Sequence, residues 1–233
     1  MMKNGLLAAL ALACSGVGSF FATAYETTPL DDYVWTPDDH YGWVDSGETI
    51  HGRNIDGSIT YTGYLLNLTS QQWLTPEDCD RSIWWHQLVV IVPSNLNPEY
   101  SKNATLWITG GSNGSPDSWP VPTDEDIATT ATLAMNTGTI SAALFQIPNE
   151  HIVFSSDPEQ KSRTEDAIIA FTWDHFLKDS SDPTWLVRFP MVKVCMMIFQ
   201  MYMPIILRTP DDCSLPQNLI LFASSLLCIL LIL

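Results

Sequence analysis

The amino-acid sequence predicts an α/β fold, in which helices flank a mainly parallel β-sheet. Strand-like and helix-like runs alternate through the middle of the chain, the order typical of strands joined by helical crossovers. Residues 139–147 (TISAALFQI) are almost wholly apolar, as expected of a central strand buried on both faces. Helix-start signals precede the long helical runs. Together these observations favour helices packed on a largely buried sheet.

Three further strands are predicted before the first long helix. They are residues 61–69 (YTGYLLNLT), 82–93 (SIWWHQLVVIVP) and 105–109 (TLWIT). Alternating or β-branched apolar residues between turn signals are typical of strands. The region before them, residues 25–63, is acidic, aromatic and rich in turn signals such as Asp56-Gly57, so loops or hairpins are expected there.

Three helices are predicted in the second half of the chain. Thr123 is expected to cap the first, and Asn136 and Gly138 to close it. Thr164 is expected to cap the second, whose apolar residues recur every three or four positions from residue 167 to 177. Residues 185–203 are expected to form a third helix, interrupted or started near Pro190.

The first 24 residues have the pattern of a cleaved secretory signal. Lys3 is the only charged residue before Glu26, an apolar run follows it, and Ala22-Thr23-Ala24 matches the signal-peptidase pattern. Cleavage is therefore expected after Ala24, and the mature chain is expected to be secreted. Glycosylation sequons agree with that route; they begin at Asn67, Asn103 and Asn113.

The composition excludes several classes of function. The chain carries 26 acidic and 10 basic residues, a net charge of −16, which disfavours nucleic-acid binding because few cations are available for phosphates. The five histidines lack metal-ligand spacing and the five cysteines include no C-x-x-C pair. No metal or cofactor is therefore expected. A disulfide from Cys79 to Cys195 or Cys213 remains open.

A glycine-rich loop follows the strand at 105–109. Gly110, Gly111, Ser112, Asn113 and Gly114 match the pattern G-x-S-x-G of a nucleophile elbow. The elbow requires a helix directly after the serine, but Pro116 and Pro120 prevent one. No catalytic residue is assigned. Gly110, Gly111, Ser112 and Asn113 are instead interpreted as an oxyanion-hole loop or as a plain turn that carries a glycan on Asn113.

Several segments, in the same order, resemble the PhoPQ-activated pathogenicity-related proteins. They are residues 32–34 (DYV) with 41–43 (YGW), 68–73 (LTSQQW), 84–88 (WWHQL), 108–113 (ITGGSN), 146–149 (QIPN), 163–173 (RTEDAIIAFTW) and 190–193 (PMVK). The resemblance implies an α/β-hydrolase-like fold for residues 25–203. Members of the family carry a G-x-S-K-R-G elbow further on. This chain has PIILRTP at 204–210 instead, so the hydrolase-like domain is interpreted as partial and C-terminally truncated.

The end of the chain has three interpretations. The run from Leu219 to Leu233 contains no charged residue. The first is a membrane anchor, although the run is short for a full span. The second is the removable tail of a GPI signal, which the run resembles. The third is non-native sequence within a divergent tail at 204–233.

Three functions follow as hypotheses. The first is a secreted, non-catalytic protein with an extracellular growth-restraining role, since the eukaryotic branch of the family includes a secreted autocrine proliferation repressor. Its partner would be an unidentified extracellular receptor. The second is a serine-type hydrolase of a small ester or amide, with its nucleophile outside this chain. The third is a surface protein tethered to the membrane or to GPI through residues 219–233.

Overall fold

The structure is a computed structural model that describes residues 27–100, 103–114 and 118–206, with side chains up to residue 198. These residues form five strands and four helices, with two short 3₁₀ turns at Pro98–Tyr100 and Pro183–Trp185. In chain order the elements are α1 (Pro29–Trp35), β1 (Gly42–Arg53), β2 (Thr60–Gln72), β3 (Ile83–Pro93), β4 (Ala104–Ile108), α2 (Glu125–Thr137), β5 (Ile140–Leu144), α3 (Glu165–Lys178) and α4 (Arg188–Ile206). The predicted signal peptide at 1–24 and the apolar tail lie outside the described residues.

The five strands form one mixed sheet in the order β1-β2-β3-β5-β4. Only β4 and β5 are parallel, whereas β1, β2, β3 and β5 pair antiparallel in succession. The predicted mainly parallel, α/β-hydrolase-like sheet is therefore wrong. The reason lies in the connections: residues 54–59 and 73–82 join the first three strands without a helix. A parallel pair needs a crossover of a dozen or more residues, which α2 supplies between β4 and β5.

Helices cover both faces of the sheet. Leu65 and Leu66 are adjacent in β2 and therefore point to opposite faces. On one face Leu66 belongs to a buried cluster with Val194 and Ile198 of α4. On the other, Leu65 belongs to a cluster with Ala131 of α2. A third cluster beyond the sheet contains Trp73, Trp84, Phe154 and Ile168. Burial on both faces explains why β5 is apolar except for Ser141.

The residues at the two ends of α2 explain where this helix begins and ends. The Asp124 side chain accepts hydrogen bonds from the backbone N–H groups of Asp126 and Ile127. The N-cap is thus Asp124, one residue after the predicted Thr123. Gly138 closes the helix at φ 65°, in the left-handed region. A Cβ there would lie 3.1 Å from the Asn95 carbonyl oxygen, so both conformation and space favour glycine.

The two described cysteines lie apart in the core. Cys79 is a buried free thiol in the cluster of Trp73, and Cys195 belongs to the α4 face. The Cys79–Cys195 disulfide is therefore absent. Cys213 lies outside the described residues. No helix in the described part of the chain combines the length and hydropathy needed to cross a membrane.

Candidate functional site

The glycine-rich loop lies at the carboxyl ends of the parallel strands β4 and β5. Thr109 N–H donates to the Leu144 carbonyl at 2.9 Å, and Gln146 N–H donates to the Gly110 carbonyl at 2.9 Å. These bonds hold residues 110–113 beside the chain that leaves β5. The carboxyl ends of parallel strands are a common ligand-binding place in open α/β sheets. The loop is thus placed where a binding role is plausible on topological grounds.

Asn113 and Asn149 tie the loop to the segment after β5. The Asn113 side-chain nitrogen donates to Asn149 Oδ1 at 2.6 Å, and the Asn149 nitrogen donates to Asn113 Oδ1 at 3.1 Å and to the Trp85 carbonyl at 2.5 Å. The Asn113 N–H also donates to the Glu150 carbonyl at 2.7 Å. Asn113 is therefore a structural anchor of this loop.

Gly111 and Ser112 present two adjacent backbone N–H groups from which an anion could accept hydrogen bonds. Gly111 has φ +110°, which glycine adopts readily. Neither its N–H nor that of Ser112 donates a hydrogen bond to a described residue. Two adjacent N–H groups of this kind are the usual components of an oxyanion-binding loop. The backbone therefore retains donors that a ligand could use.

Carboxylates beside the loop oppose an anion there. Glu150 is 5% exposed and its Oε2 accepts from the Glu165 N–H at 2.7 Å, at the start of α3. A Cβ on Gly110 would lie 3.2 Å from Glu165 Oε1, so that carboxylate is close to the loop. Like charges repel, and a negatively charged ligand would have to overcome this repulsion. The side chain of Thr164, the predicted cap of α3, makes no capping hydrogen bond. The Glu150 carboxylate is instead the acceptor for the Glu165 N–H at the start of this helix.

Asp126 supports the end of β4 from α2. Its carboxylate accepts from Trp107 Nε1 at 2.7 Å and from the Thr109 hydroxyl at 2.9 Å. Both donors precede the glycines directly. The sequence alone does not indicate this contact of Asp126, nor the contacts of Asn149 and Glu150. The one feature of the sequence that points to Asn149 and Glu150 is the polar run 149–151 directly after Pro148.

One serine–histidine hydrogen bond occurs among the described residues, and it is buried. Ser70 Oγ and His86 Nε2 lie 2.9 Å apart, and His86 Nδ1 lies 3.2 Å from the Phe145 carbonyl oxygen. A carbonyl only accepts, so Nδ1 carries the proton and Nε2 accepts from the Ser70 hydroxyl. Both residues have no exposed surface. Burial lowers the pKa of His86 to about 4, so this pair is a neutral structural element.

Ser112 lacks the partner that a nucleophile requires. In the part of the chain that the structure describes, no histidine forms a hydrogen bond with its hydroxyl. The same part contains no cluster of three or more side chains suited to a metal ion. The geometry there is that of a loop able to bind, without an activated hydroxyl.

The three sequons differ in accessibility. Asn103 is exposed in the loop before β4. Asn67 is half-buried within β2, opposite both Val44 and Gln87, and its Oδ1 is buried without a partner among the described residues. Asn113 is held by Asn149. In the folded chain Asn103 alone of the three presents its amide openly.

Comparison with known proteins identifies relatives. The family described as PhoPQ-activated pathogenicity-related protein matches residues 30–206. Autocrine proliferation repressor protein A of Dictyostelium discoideum is 40% identical over 182 residues, which are 78% of this chain and 32% of that protein. The chain thus spans about a third of this curated relative. No solved structure matches. The match to the family covers most of the chain, which therefore belongs to the PhoPQ-activated pathogenicity-related protein family.

Proposed function

We propose that this protein acts outside the cell as a growth-restraining signal, without catalysing a reaction. The observation that carries the proposal is the 40% identity with a protein named for autocrine repression of proliferation. An autocrine factor must leave the cell and act at its surface. The predicted signal peptide at 1–24 and the exposed sequon at Asn103 support that route.

The described geometry supports a binding role over a catalytic one. Ser70 and His86, the bonded hydroxyl and imidazole, have no exposed surface. The glycine-rich loop is anchored by the side chain of Asn149, which makes it a rigid surface feature. A rigid loop on a sheet scaffold is a usual place for recognition. The partner is proposed to be an extracellular receptor.

A growth assay with the secreted chain tests the proposal. The full chain is expressed with its own N-terminus, and the protein in the medium is purified and its first residues sequenced. We expect the secreted protein to begin at Tyr25 and to lengthen the doubling time of expressing cells in a dose-dependent way. A variant with Leu6→Arg and Leu7→Arg is the matched control, because it disrupts the apolar core of the signal. Correctly folded, secreted protein without effect on growth would refute the proposal.

The N–H groups at Gly111 and Ser112, which have no acceptor among the described residues, favour a second function, hydrolysis of an ester or amide. Such donors stabilise a developing oxyanion. A panel of activated esters tests this, with Ser112→Ala as the matched variant. We expect no turnover above buffer. Turnover that disappears in Ser112→Ala would instead favour the hydrolase.

A further inference from the structure

A cavity distinct from the glycine-rich loop lies between the β1–β2 turn and α2. Its volume is about 440 Å³, within the range of small-molecule sites. Its lining includes Arg53, Tyr61, Ala128, Ala131, Met135 and Asn136. We propose that this cavity is a binding site for a small amphipathic carboxylate, whose apolar body lies on α2 and whose carboxylate meets Tyr61 and Arg53. The inference is independent of the proposed function.

One side of α2 forms the apolar floor of the cavity. Ala128, Ala131 and Met135 follow one another at three- and four-residue steps, and therefore share a face of the helix. The two alanines are short, which leaves room above the helix. Ala131 and Met135 also belong to the buried cluster on this side of the sheet, so the floor is continuous with the core and is rigid.

Tyr61 provides a hydroxyl group in the lining of the cavity that has no hydrogen-bond partner among the described residues. The side chain is 6% exposed, and Tyr61 lies directly opposite Gly52 in the β1–β2 pair. A Cβ at Gly52 would lie 2.5 Å from the Tyr61 hydroxyl oxygen, so glycine makes the space that this ring end occupies. The hydroxyl makes no hydrogen bond to any described residue. The hydroxyl oxygen is not one of the buried polar atoms without a partner, so it is accessible and can donate to a ligand acceptor.

Arg53 places a positive charge in the lining of the same cavity. It follows Gly52 in β1, and its side chain passes over the turn, with Cδ 3.7 Å from where a Gly57 Cβ would lie. The nearby Asp56 carboxylate accepts from the Ser58 N–H at 2.9 Å and the Ser58 hydroxyl at 2.6 Å. No ion pair joins Arg53 to a described acid. In a chain of net charge −16, this guanidinium is available to an anion.

The ligand class follows from these groups. A guanidinium binds a carboxylate through two parallel hydrogen bonds, and the tyrosine hydroxyl is a donor because burial raises its pKa. The apolar floor favours a hydrocarbon or aromatic body. A small arylalkyl carboxylate satisfies both requirements. Asp56 also lines the cavity and repels any anion, but this repulsion is weaker for one negative charge than for a polyanion.

Titration of the full chain with 4-phenylbutyrate tests the site, by calorimetry and by ligand-observed NMR. We expect saturable binding with one site per chain, and about tenfold weaker binding of the neutral 4-phenylbutyramide, since a charge-assisted bond is lost. Arg53→Gln is expected to weaken the carboxylate about tenfold, and Tyr61→Phe to weaken it by a smaller factor. Lys178→Gln, which removes an equal charge from α3, is expected to leave binding unchanged.

A size variant separates the cavity from general charge effects. Ala128→Leu places a larger side chain on the exposed floor of the cavity and is expected to abolish binding, whereas Ala128→Ser retains it. Thermal unfolding of each variant confirms that it is folded. The site is refuted by folded wild-type protein that shows no saturable binding, by equal binding of acid and amide, or by affinity that Arg53→Gln and Ala128→Leu leave unchanged.

Discussion

His86 illustrates how a single residue can carry the chemistry of an active site and serve only packing. Its ring is held in the core by the contact between His86 Nδ1 and the Phe145 carbonyl oxygen. The Ser70 partner, 16 residues away, was not predictable. It depends on the register of β2 against β3, where Ser70 lies beside the irregularity between Thr69 and Gln71. Local sequence carries no signal for that shift.

The neutral state of His86 predicts a pH-dependent stability. Its folded pKa, about 4, lies below the value of about 6.5 expected when unfolded. The unfolded chain therefore binds a proton that the folded chain does not. Stability from this group is complete above about pH 6.5 and falls by up to about 1.4 kcal/mol per pH unit as the pH drops toward 4.

Urea unfolding between pH 7.5 and 4.5 measures this effect. His86→Gln keeps one donor and one acceptor but cannot be protonated, so its stability is expected to fall less steeply over this range. Carboxylates with lowered pKa, such as Asp157 beside Arg163, titrate equally in both proteins and cancel in the difference. Identical slopes for the two proteins would contradict the neutral assignment of His86.

Exposure predicts which sequon carries a glycan in secreted protein. Asn103 is exposed, whereas Asn67 lies within β2 and the Asn113 amide is bonded to Asn149. We expect the mobility shift on glycosidase treatment to disappear in Asn103→Gln and to persist in Asn67→Gln and Asn113→Gln. A shift that requires Asn113 would mean that the Asn113–Asn149 pair does not form.

At the scale of elements, the sequence predicted the strands and helices whose sequence signals lie within the element itself. The strands β2 to β5 and helices α2 to α4 were expected within a few residues of their observed bounds, because apolar periodicity and caps are contiguous in sequence. The strand β1 was missed, since most of its residues are exposed and do not alternate cleanly. Helix α1 was missed because it is short, with no fully buried residue. The strand directions were wrongly predicted. The connections between β1, β2 and β3 contain no helix and are too short for the crossover that a parallel pair needs.

The N-cap of α2 gives a prediction at this scale. Asp124→Ala removes the acceptor for the N–H groups of Asp126 and Ile127 and is expected to cost about 1 kcal/mol, or about 2–4 °C in Tm. Asp124→Asn is the matched control, since asparagine caps about as well as aspartate. Thermal denaturation followed by circular dichroism measures both. A loss in Asp124→Asn equal to that in Asp124→Ala would assign the effect to charge instead.

At the scale of the whole molecule, one part of the candidate site could be predicted from the sequence and another part could not. The glycine-rich loop was predicted to follow a strand directly, and it does. Its anchors Asn149 and Glu150 lie beyond β5, and only the parallel pairing of β4 with β5 brings them to Asn113. The cavity between the β1–β2 turn and α2 could not be predicted either, because it depends on β1, which was not predicted as a strand. Pairing across the sheet, more than any motif, positions both places.

The two edges of the sheet differ in their protection. At one edge, β1 has an irregularity between Asp45 and Thr49 and carries charged side chains, devices that discourage pairing with another chain. At the other edge, β4 (ATLWI) has no charge, and among the described residues its outer side has no strand partner. An uncharged open edge is a template for pairing with a further strand. The molecule is therefore expected to associate through β4.

Self-association through β4 is measurable by sedimentation velocity over a range of concentrations. We expect the Asn103→Gln chain, which carries no glycan beside β4, to form dimers or larger species as concentration rises. Thr105→Lys, which would otherwise also remove the Asn103 sequon, is made in this background and is expected to shift the chain toward monomer, because a charged edge opposes pairing and a lysine stem reaches water from a half-buried position. Ala170→Lys is the matched control, since it adds the same charge on the exposed side of α3. If both variants reduce association equally, the effect is not specific to the edge strand, and the β4 edge is not the interface.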